Sequence, residues 1–268
     1  MKKPKVIVLR TAGTNCDKET AFAFELAGAD TELVHINELS GEKNSLSDYH
    51  ILALPGGFTY GDDIASGKIL ANELKFKMGG EIQRFIADGK LIIGICNGFQ
   101  ILVKAGILPN LAGDFQTIEA TLTLNDSARF EDRWVYLKRV KGQGSRGKGC
   151  VWTEDIDDIM YLPVAHGEGK FIPKDKNILR ELKENGLIVF EYVDEKGKIA
   201  GYPHNPNGSI GSIAGICDRT GRIFGLMPHP ERHVTRFQHP RWTRAKNSGA
   251  GDGLAIFANR VNFAKKNL

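Results

Sequence analysis

Cysteines at positions 16, 96, 150 and 217 lie far apart, and no Cys-x-x-Cys pair occurs. Each thiol is therefore judged by its own surroundings rather than as half of a disulfide. Cys96 has the most reactive setting. It stands at the centre of Gly94-Ile95-Cys96-Asn97-Gly98, the Gly-x-nucleophile-x-Gly spacing of a strand that turns sharply into a helix with its central side chain at the tip. Glycines permit the turn because a Cβ at either place would collide with it. The helix N-terminus beyond Cys96 offers unpaired N–H groups and the positive end of a dipole, which favours the reactive thiolate. A core thiol between two packing glycines has the same spacing, so the pattern alone leaves both readings open.

A thiolate nucleophile needs a base, and the base needs a partner that orients it. Of the seven histidines, His229 stands out in Met227-Pro228-His229-Pro230-Glu231-Arg232. The proline after it favours extended backbone, where side chains two apart face the same way, so Glu231 can reach a ring nitrogen of His229. A surface turn with a solvated histidine is the bland alternative. His229 and His233 also lie four apart, a zinc-ligand spacing, but Pro230 keeps them off one helix face, and no metal ligand set is read here. Pro55-Gly56-Gly57-Phe58 is the third element. Its backbone can aim the N–H of Gly57 or Phe58 outward, and with the N–H of Asn97 these would supply two donors to an oxyanion.

Pro55 follows Ile51–Leu54, one of several apolar runs that alternate with helical patterns. Lys5–Arg10, Thr31–Ile36 and Leu91–Ile95 read as further strands, the last apolar throughout, as in a parallel sheet buried on both faces. Thr14–Asp17 can cap a helix with Phe22, Leu26 and Ala29 at helical spacing and Gly28 near its end. A long helix is expected from about Ala65 to Ala87, with Gly79-Gly80 as a possible break, and a shorter one over Phe99–Ala105. After about Phe115 the pattern changes: strands are expected at Thr117–Leu124, Trp134–Val140, Leu187–Tyr192, Ile213–Ile216 and Ile223–Met227, and a terminal amphipathic helix from about Gly253 to Ala264. These alternations imply an α/β fold with a doubly wound, mostly parallel, flavodoxin-like sheet and an antiparallel extension, in a single domain over 1–268.

The bulk composition excludes several function classes. With 36 basic and 32 acidic residues and no dense Lys/Arg stripe, the chain is too balanced for a dedicated nucleic-acid binder. The apolar run Val6–Leu9 is too short for a signal peptide, and no stretch approaches the roughly 20 apolar residues that span a bilayer. A cytoplasmic protein is expected, so the two Asn-x-Ser sequons at Asn125 and Asn207 carry no weight. Gly142–Gly147 matches Gly-x-Gly-x-x-Gly, but no amphipathic helix follows it, which argues against nucleotide binding.

Taken together, these segments resemble the class I, triad-type glutamine amidotransferases, and among them the glutaminase subunits of phosphoribosylformylglycinamidine synthase. The likeness spans nearly the whole chain. It is carried by Gly13-Thr14-Asn15-Cys16-Asp17, Pro55–Asp62, Gly94–Gln100, Arg129–Val135, Pro163–Gly169 and the Met-Pro-His-Pro-Glu-Arg segment at 227–232. The resemblance implies a triad of Cys96, His229 and Glu231, an oxyanion site of Gly57, Phe58 and Asn97, and Gln100 near an L-glutamine substrate. His166 and Glu168 are implied at the active-site mouth, at a partner interface or in a structural turn. For Cys16, which has no base near it in sequence, a capping or contact role is expected. The resemblance further implies a synthetase partner of the PurL type, with a small third subunit of the PurS type. No cofactor is expected in this chain, and ATP and Mg are expected on the synthetase. Rival readings are a glutaminase of another pathway and a DJ-1/PfpI-like cysteine hydrolase; the latter commonly has histidine directly after the cysteine, where this chain has Asn97.

Overall fold

The run Lys5–Arg10 forms β1, buried at its four central residues, and Asp30–His35 (β2) pairs with it in parallel, Val6 opposite Thr31. The structure, a computed structural model, describes residues 3–39, 45–141, 149–154, 156–244 and 249–268. The glycine-rich motif at 142–147 lies outside them. Ile51–Leu54 (β3) and Leu91–Ile95 (β4) are buried along their whole length, as strands covered on both faces must be. Helices α1 (Asp17–Leu26), α2 (Ile36–Leu39), α3 (Lys68–Lys77), α4 (Gly79–Ala87) and α5 (Asn97–Lys104) accompany this first half. The expected long helix is in fact two, because Met78 at φ −120° and ψ 6° leaves helical geometry just before the poor helix formers Gly79 and Gly80.

The second half adds β5 (Ala120–Thr123), β6 (Glu131–Arg139), β7 (Ile159–His166), β8 (Lys170–Pro173), α6 (Lys176–Glu184), β9 (Ile188–Val193), β10 (Ile213–Cys217), β11 (Ile223–Leu226) and α7 (Leu254–Asn267). One sheet of nine strands runs β2-β1-β3-β4-β11-β10-β9-β6-β7, and β5 and β8 form a separate ribbon. The pairs from β2 to β11 are parallel, and those from β11 to β7 antiparallel. The order of the parallel half is that of flavodoxin-like sheets, in which ligands bind beyond the carboxyl ends of the strands at the point where strand order reverses. The expected architecture therefore describes the molecule.

Two details differ. In α1 the buried residues are Asp17, Thr20, Ala21, Ala23 and Phe24, whereas Phe22 and Leu26 are nearly half exposed. Phe24 packs edge-on against Phe257 of α7 with ring centroids 4.9 Å apart, and Thr20 enters the core because its hydroxyl donates to Cys16 O at 2.7 Å. No element was expected over 159–184, where β7, β8 and α6 stand. Pro163 interrupts the strand signal of β7, which the fold tolerates because β7 is an edge strand paired only with β6.

Candidate active site

Parallel register brings the functional segments to one edge of the sheet. Leu54 lies beside Gly94, and Ile95 beside Leu226. The loops leaving β1, β3, β4 and β11 therefore meet, carrying Cys16, Gly57, Cys96 and His229. Together with Ala165 and Arg232 these residues line a cleft of about 230 Å³. A larger groove of about 450 Å³, lined by Lys138, Lys183 and Glu191 among others, includes no cysteine or histidine among its lining residues.

Cys96 has φ +51° and ψ −104°, a strained conformation for a residue with a Cβ. The surroundings enforce it. The Cys96 N–H donates to Leu226 O at 2.8 Å, and its carbonyl accepts the N–H of Phe99 at 3.0 Å and of Gln100 at 3.1 Å. A Cβ at Gly98 would lie 1.9 Å from Leu54 O, and one at Gly94 would lie 2.5 Å from Gly98 O. Both glycines are thus required by close approach of backbone, not merely by packing. The thiol is 5% exposed and directs its S–H towards Ala165 O at 3.6 Å.

His229 Nδ1 and Glu231 Oε1 are 2.6 Å apart, with side chains 2% and 0% exposed. The pair forms through a turn rather than the extended segment that was expected, since Pro230–Arg232 is a single 3-10 turn. Its position is fixed from β7, where Pro163 O accepts the His229 N–H at 2.8 Å. Burial opposes charge on this imidazole, but Glu231, followed by Cys96, outweighs burial and holds the ring well above the usual histidine range. Nε2 is buried with no hydrogen-bond partner, so it is open to exchange a proton in the cleft; catalytic contacts of this kind commonly tighten only with substrate.

The remaining site residues are placed as follows. The Phe58 N–H donates to Gly13 O at 2.9 Å, so in this conformation it does not face the cleft as expected. The engagement arises because Thr14 and Gly57 form an antiparallel bridge between the loops after β1 and β3. Gly57 lines the cleft, at φ +143°. The Asn97 N–H, first in α5, has no carbonyl four residues back within its helix. The Asn97 side chain accepts from Thr59 Oγ1 at 2.7 Å and donates to Gln100 Oε1 at 3.0 Å. Gln100 in turn donates Nε2 to Glu168 O at 2.6 Å. Its amide is thus engaged by protein partners, and Gln100 is not among the residues lining the cleft. Phe58 and Phe130 stack at 6.2 Å on the rim, both about half exposed.

The segment 163–169 proves structural and close to the chemistry at once. Burial pushes the His166 imidazole down to about 3, so it is neutral, and it sits 3.2 Å from Asn125 Oδ1. Glu168 receives the Ser66 N–H at 3.3 Å and lies 3.5 Å from Lys104 Nζ. Of the capping and contact roles expected for Cys16, the structure shows the contact one. Cys16 occupies the N-cap of α1 but makes no side-chain cap bond. Its thiol instead accepts from Arg232 Nη2 at 3.1 Å and lies beside His229 and Glu231. Burial raises this thiol above its ordinary value, although the neighbouring His229 imidazole pulls it down. The histidine absent from its sequence neighbourhood comes from the loop after β11, which β3 and β4 separate from β1 in the sheet.

Comparisons with known proteins agree with this geometry. The CobB/CobQ-like glutamine amidotransferase domain family matches residues 3–264. The PurQ subunit of phosphoribosylformylglycinamidine synthase from Dehalococcoides mccartyi is 52% identical over 99% of this chain and 100% of its own. The same subunit from Methanococcus maripaludis is 43% identical over 98% of each chain. A chain in the structure of PurLQS from Thermotoga maritima superposes with a TM-score of 0.72 at 31% identity, covering 97% of this chain and 99% of that one. The chain belongs to the class I glutamine amidotransferases and, within them, to the PurQ subunits of phosphoribosylformylglycinamidine synthase.

Proposed function

We propose that this chain hydrolyses L-glutamine at Cys96 and hands the ammonia to a synthetase of the PurL type, which converts formylglycinamide ribonucleotide to formylglycinamidine ribonucleotide. The observation that carries the catalytic assignment is the meeting of Cys96, unpartnered His229 Nε2 and the buried His229–Glu231 pair in one cleft. Cys96 thiolate attacks the side-chain amide carbon. The oxyanion that forms is held by the N–H groups of Asn97 and Gly57, with Phe58 contributing once its N–H leaves Gly13 O. Imidazolium at His229, sustained by Glu231, protonates the departing nitrogen, and ammonia leaves a γ-glutamyl thioester. His229 then takes a proton from water, which attacks the thioester and releases glutamate.

Gln100 acts by holding Asn97 and the 168 segment rather than by touching substrate. ATP and Mg bind the synthetase, and a small PurS-type subunit completes the assembly. No helix among the described residues is long and apolar enough to cross a membrane, and the protein works in the cytoplasm as one glutamine amidotransferase domain. Glutamine hydrolysis by wild type and Cys96→Ala, each with and without the synthetase, tests this reading. Partner-stimulated turnover must vanish in the variant; if it survives, Cys96 is not the nucleophile.

A further inference from the structure

Glutamine hydrolysis gives no part to the Cys16 thiol, although it is placed against the catalytic pair. Cys16 Sγ, an imidazole nitrogen of His229 and a carboxylate oxygen of Glu231 all lie within 4.8 Å of one another, and all three residues are buried. A tetrahedral cation with Zn–N, Zn–O and Zn–S bonds of about 2.0–2.3 Å holds its ligand atoms about 3.3–3.8 Å apart. Small side-chain rotations would therefore close the set. A second, independent observation points the same way: Glu231 Oε2 is buried with no hydrogen-bond partner, so this carboxylate has unused ligand capacity. Arg232 Nη2, 3.1 Å from Cys16 Sγ, is an outer donor of the kind that steadies a coordinated thiolate.

We propose that Cys16, His229 and Glu231 form a site for a thiophilic divalent cation, Zn²⁺ or Cd²⁺, whose binding switches the glutaminase off. One thiolate and one carboxylate neutralise the dication, so no net charge is buried. On binding, the Cys16 proton leaves to solvent. The Nδ1–Glu231 hydrogen bond gives way to metal bonds from Nδ1 and the carboxylate, and the ring proton resides on Nε2. That nitrogen can then no longer accept a proton from Cys96 or from water. The cation reaches Cys16 through the same cleft that admits substrate.

The switching half of the proposal rests on the function proposed above, whereas the binding half does not. Cd²⁺ titration followed by thiolate-to-metal charge-transfer absorption reads binding directly. Wild type and Cys96→Ala are expected to show the band with one cation per chain, and Cys16→Ala and Cys16→Ser to lack that contribution. Thermal melts establish that each variant is folded, and Cys150 and Cys217 are unchanged throughout. In the synthetase complex, the Cd²⁺ concentration that halves glutamine hydrolysis, measured against each protein's own metal-free rate, should rise in Cys16→Ser by more than the about 10- to 100-fold that loss of a merely supporting residue costs. A band lost in Cys96→Ala but kept in Cys16→Ala, or equal Cd²⁺ sensitivity of wild type and Cys16→Ser, would overturn the proposal. Failure of the glutaminase reading would look different, as an intact band in a protein with no Cys96-dependent turnover.

Discussion

Replacing Glu231 by glutamine keeps the volume of the side chain and removes its charge from a pair that solvent does not screen. The bond concerned is 2.6 Å long between groups 2% and 0% exposed. A hydrogen bond to a charged group contributes about 1.5–3 kcal/mol, which corresponds to about 10- to 150-fold in rate if it is lost where imidazolium forms. A glutamine that donates to Nδ1 also imposes the wrong ring tautomer, so this range is a lower bound. Steady-state glutamine hydrolysis in the synthetase complex measures the loss in kcat, and a thermal melt at each pH supplies an independent reading. Glu231 helps to hold His229 well above the usual range against burial. A histidine raised on folding adds stability that is complete below its unfolded value of about 6.5 and lost as pH rises through the folded value. The Tm gap between wild type and Glu231→Gln should thus be widest between about pH 5 and 6.5 and narrow on going alkaline. A variant with kcat within about twofold of wild type and no pH-dependent gap would refute the account of the pair, since about twofold corresponds to under 0.5 kcal/mol.

Other changes have equally definite outcomes. In Gly98→Ala the new methyl would lie 1.9 Å from Leu54 O; destabilisation at or beyond the about 1–3 kcal/mol typical of overpacking is expected by chemical denaturation, together with loss of turnover. In Gly56→Ala the methyl would meet His229 Cε1 at 2.7 Å and Cys16 Sγ at 3.1 Å. Displacement of the imidazole should lower kcat by about 100-fold in the same turnover assay, with far-UV circular dichroism unchanged. Asn125 donates Nδ2 to Arg129 O at 2.9 Å and His166 O at 2.8 Å, and accepts the Gly169 N–H at 2.9 Å. Asn125→Ala strands these buried groups and should cost about 2–4 kcal/mol of stability in urea unfolding.

What was legible in the sequence was whatever rests on local chain chemistry. β1, β3 and β4 are apolar runs because both faces of the parallel half are covered, and such runs read directly. The elbow was legible because close backbone approach at Gly94 and Gly98 admits only glycine. The His229–Glu231 contact was legible because the two residues are neighbours in the chain, although the turn that joins them was not. What stayed hidden depends on partners distant in sequence. The buried face of α1 is chosen by Phe257 and by Cys16 O, which accepts Thr20, so periodicity pointed to Phe22 and Leu26, the exposed side. Helix α6, capped by Asp175, fully buries only Leu182 and packs Ile178 and Leu179 half-buried beside it, a stripe of three residues within a short, highly charged segment. Pro163 and Ala165 act through backbone carbonyls, on His229 N–H and Cys96 S–H respectively, which no side-chain pattern discloses. Cys16 was assigned a capping or contact role because its neighbours in sequence include no base. The Gly-Thr-Asn-Cys-Asp segment was nonetheless the available signal, a thiol on the loop leaving β1 at the strand-order reversal, where ligands collect.

Acyl-enzyme mapping goes straight to the chemistry. The synthetase complex is quenched in acid during turnover of glutamine, digested, and searched by tandem mass spectrometry for a γ-glutamyl thioester. The adduct should reside on the peptide containing Cys96, disappear in Cys96→Ala, and be absent from Cys16, Cys150 and Cys217. An adduct on Cys16, or glutamate released at full rate with no thioester at Cys96, would contradict the assignment of the nucleophile and the mechanism built on it.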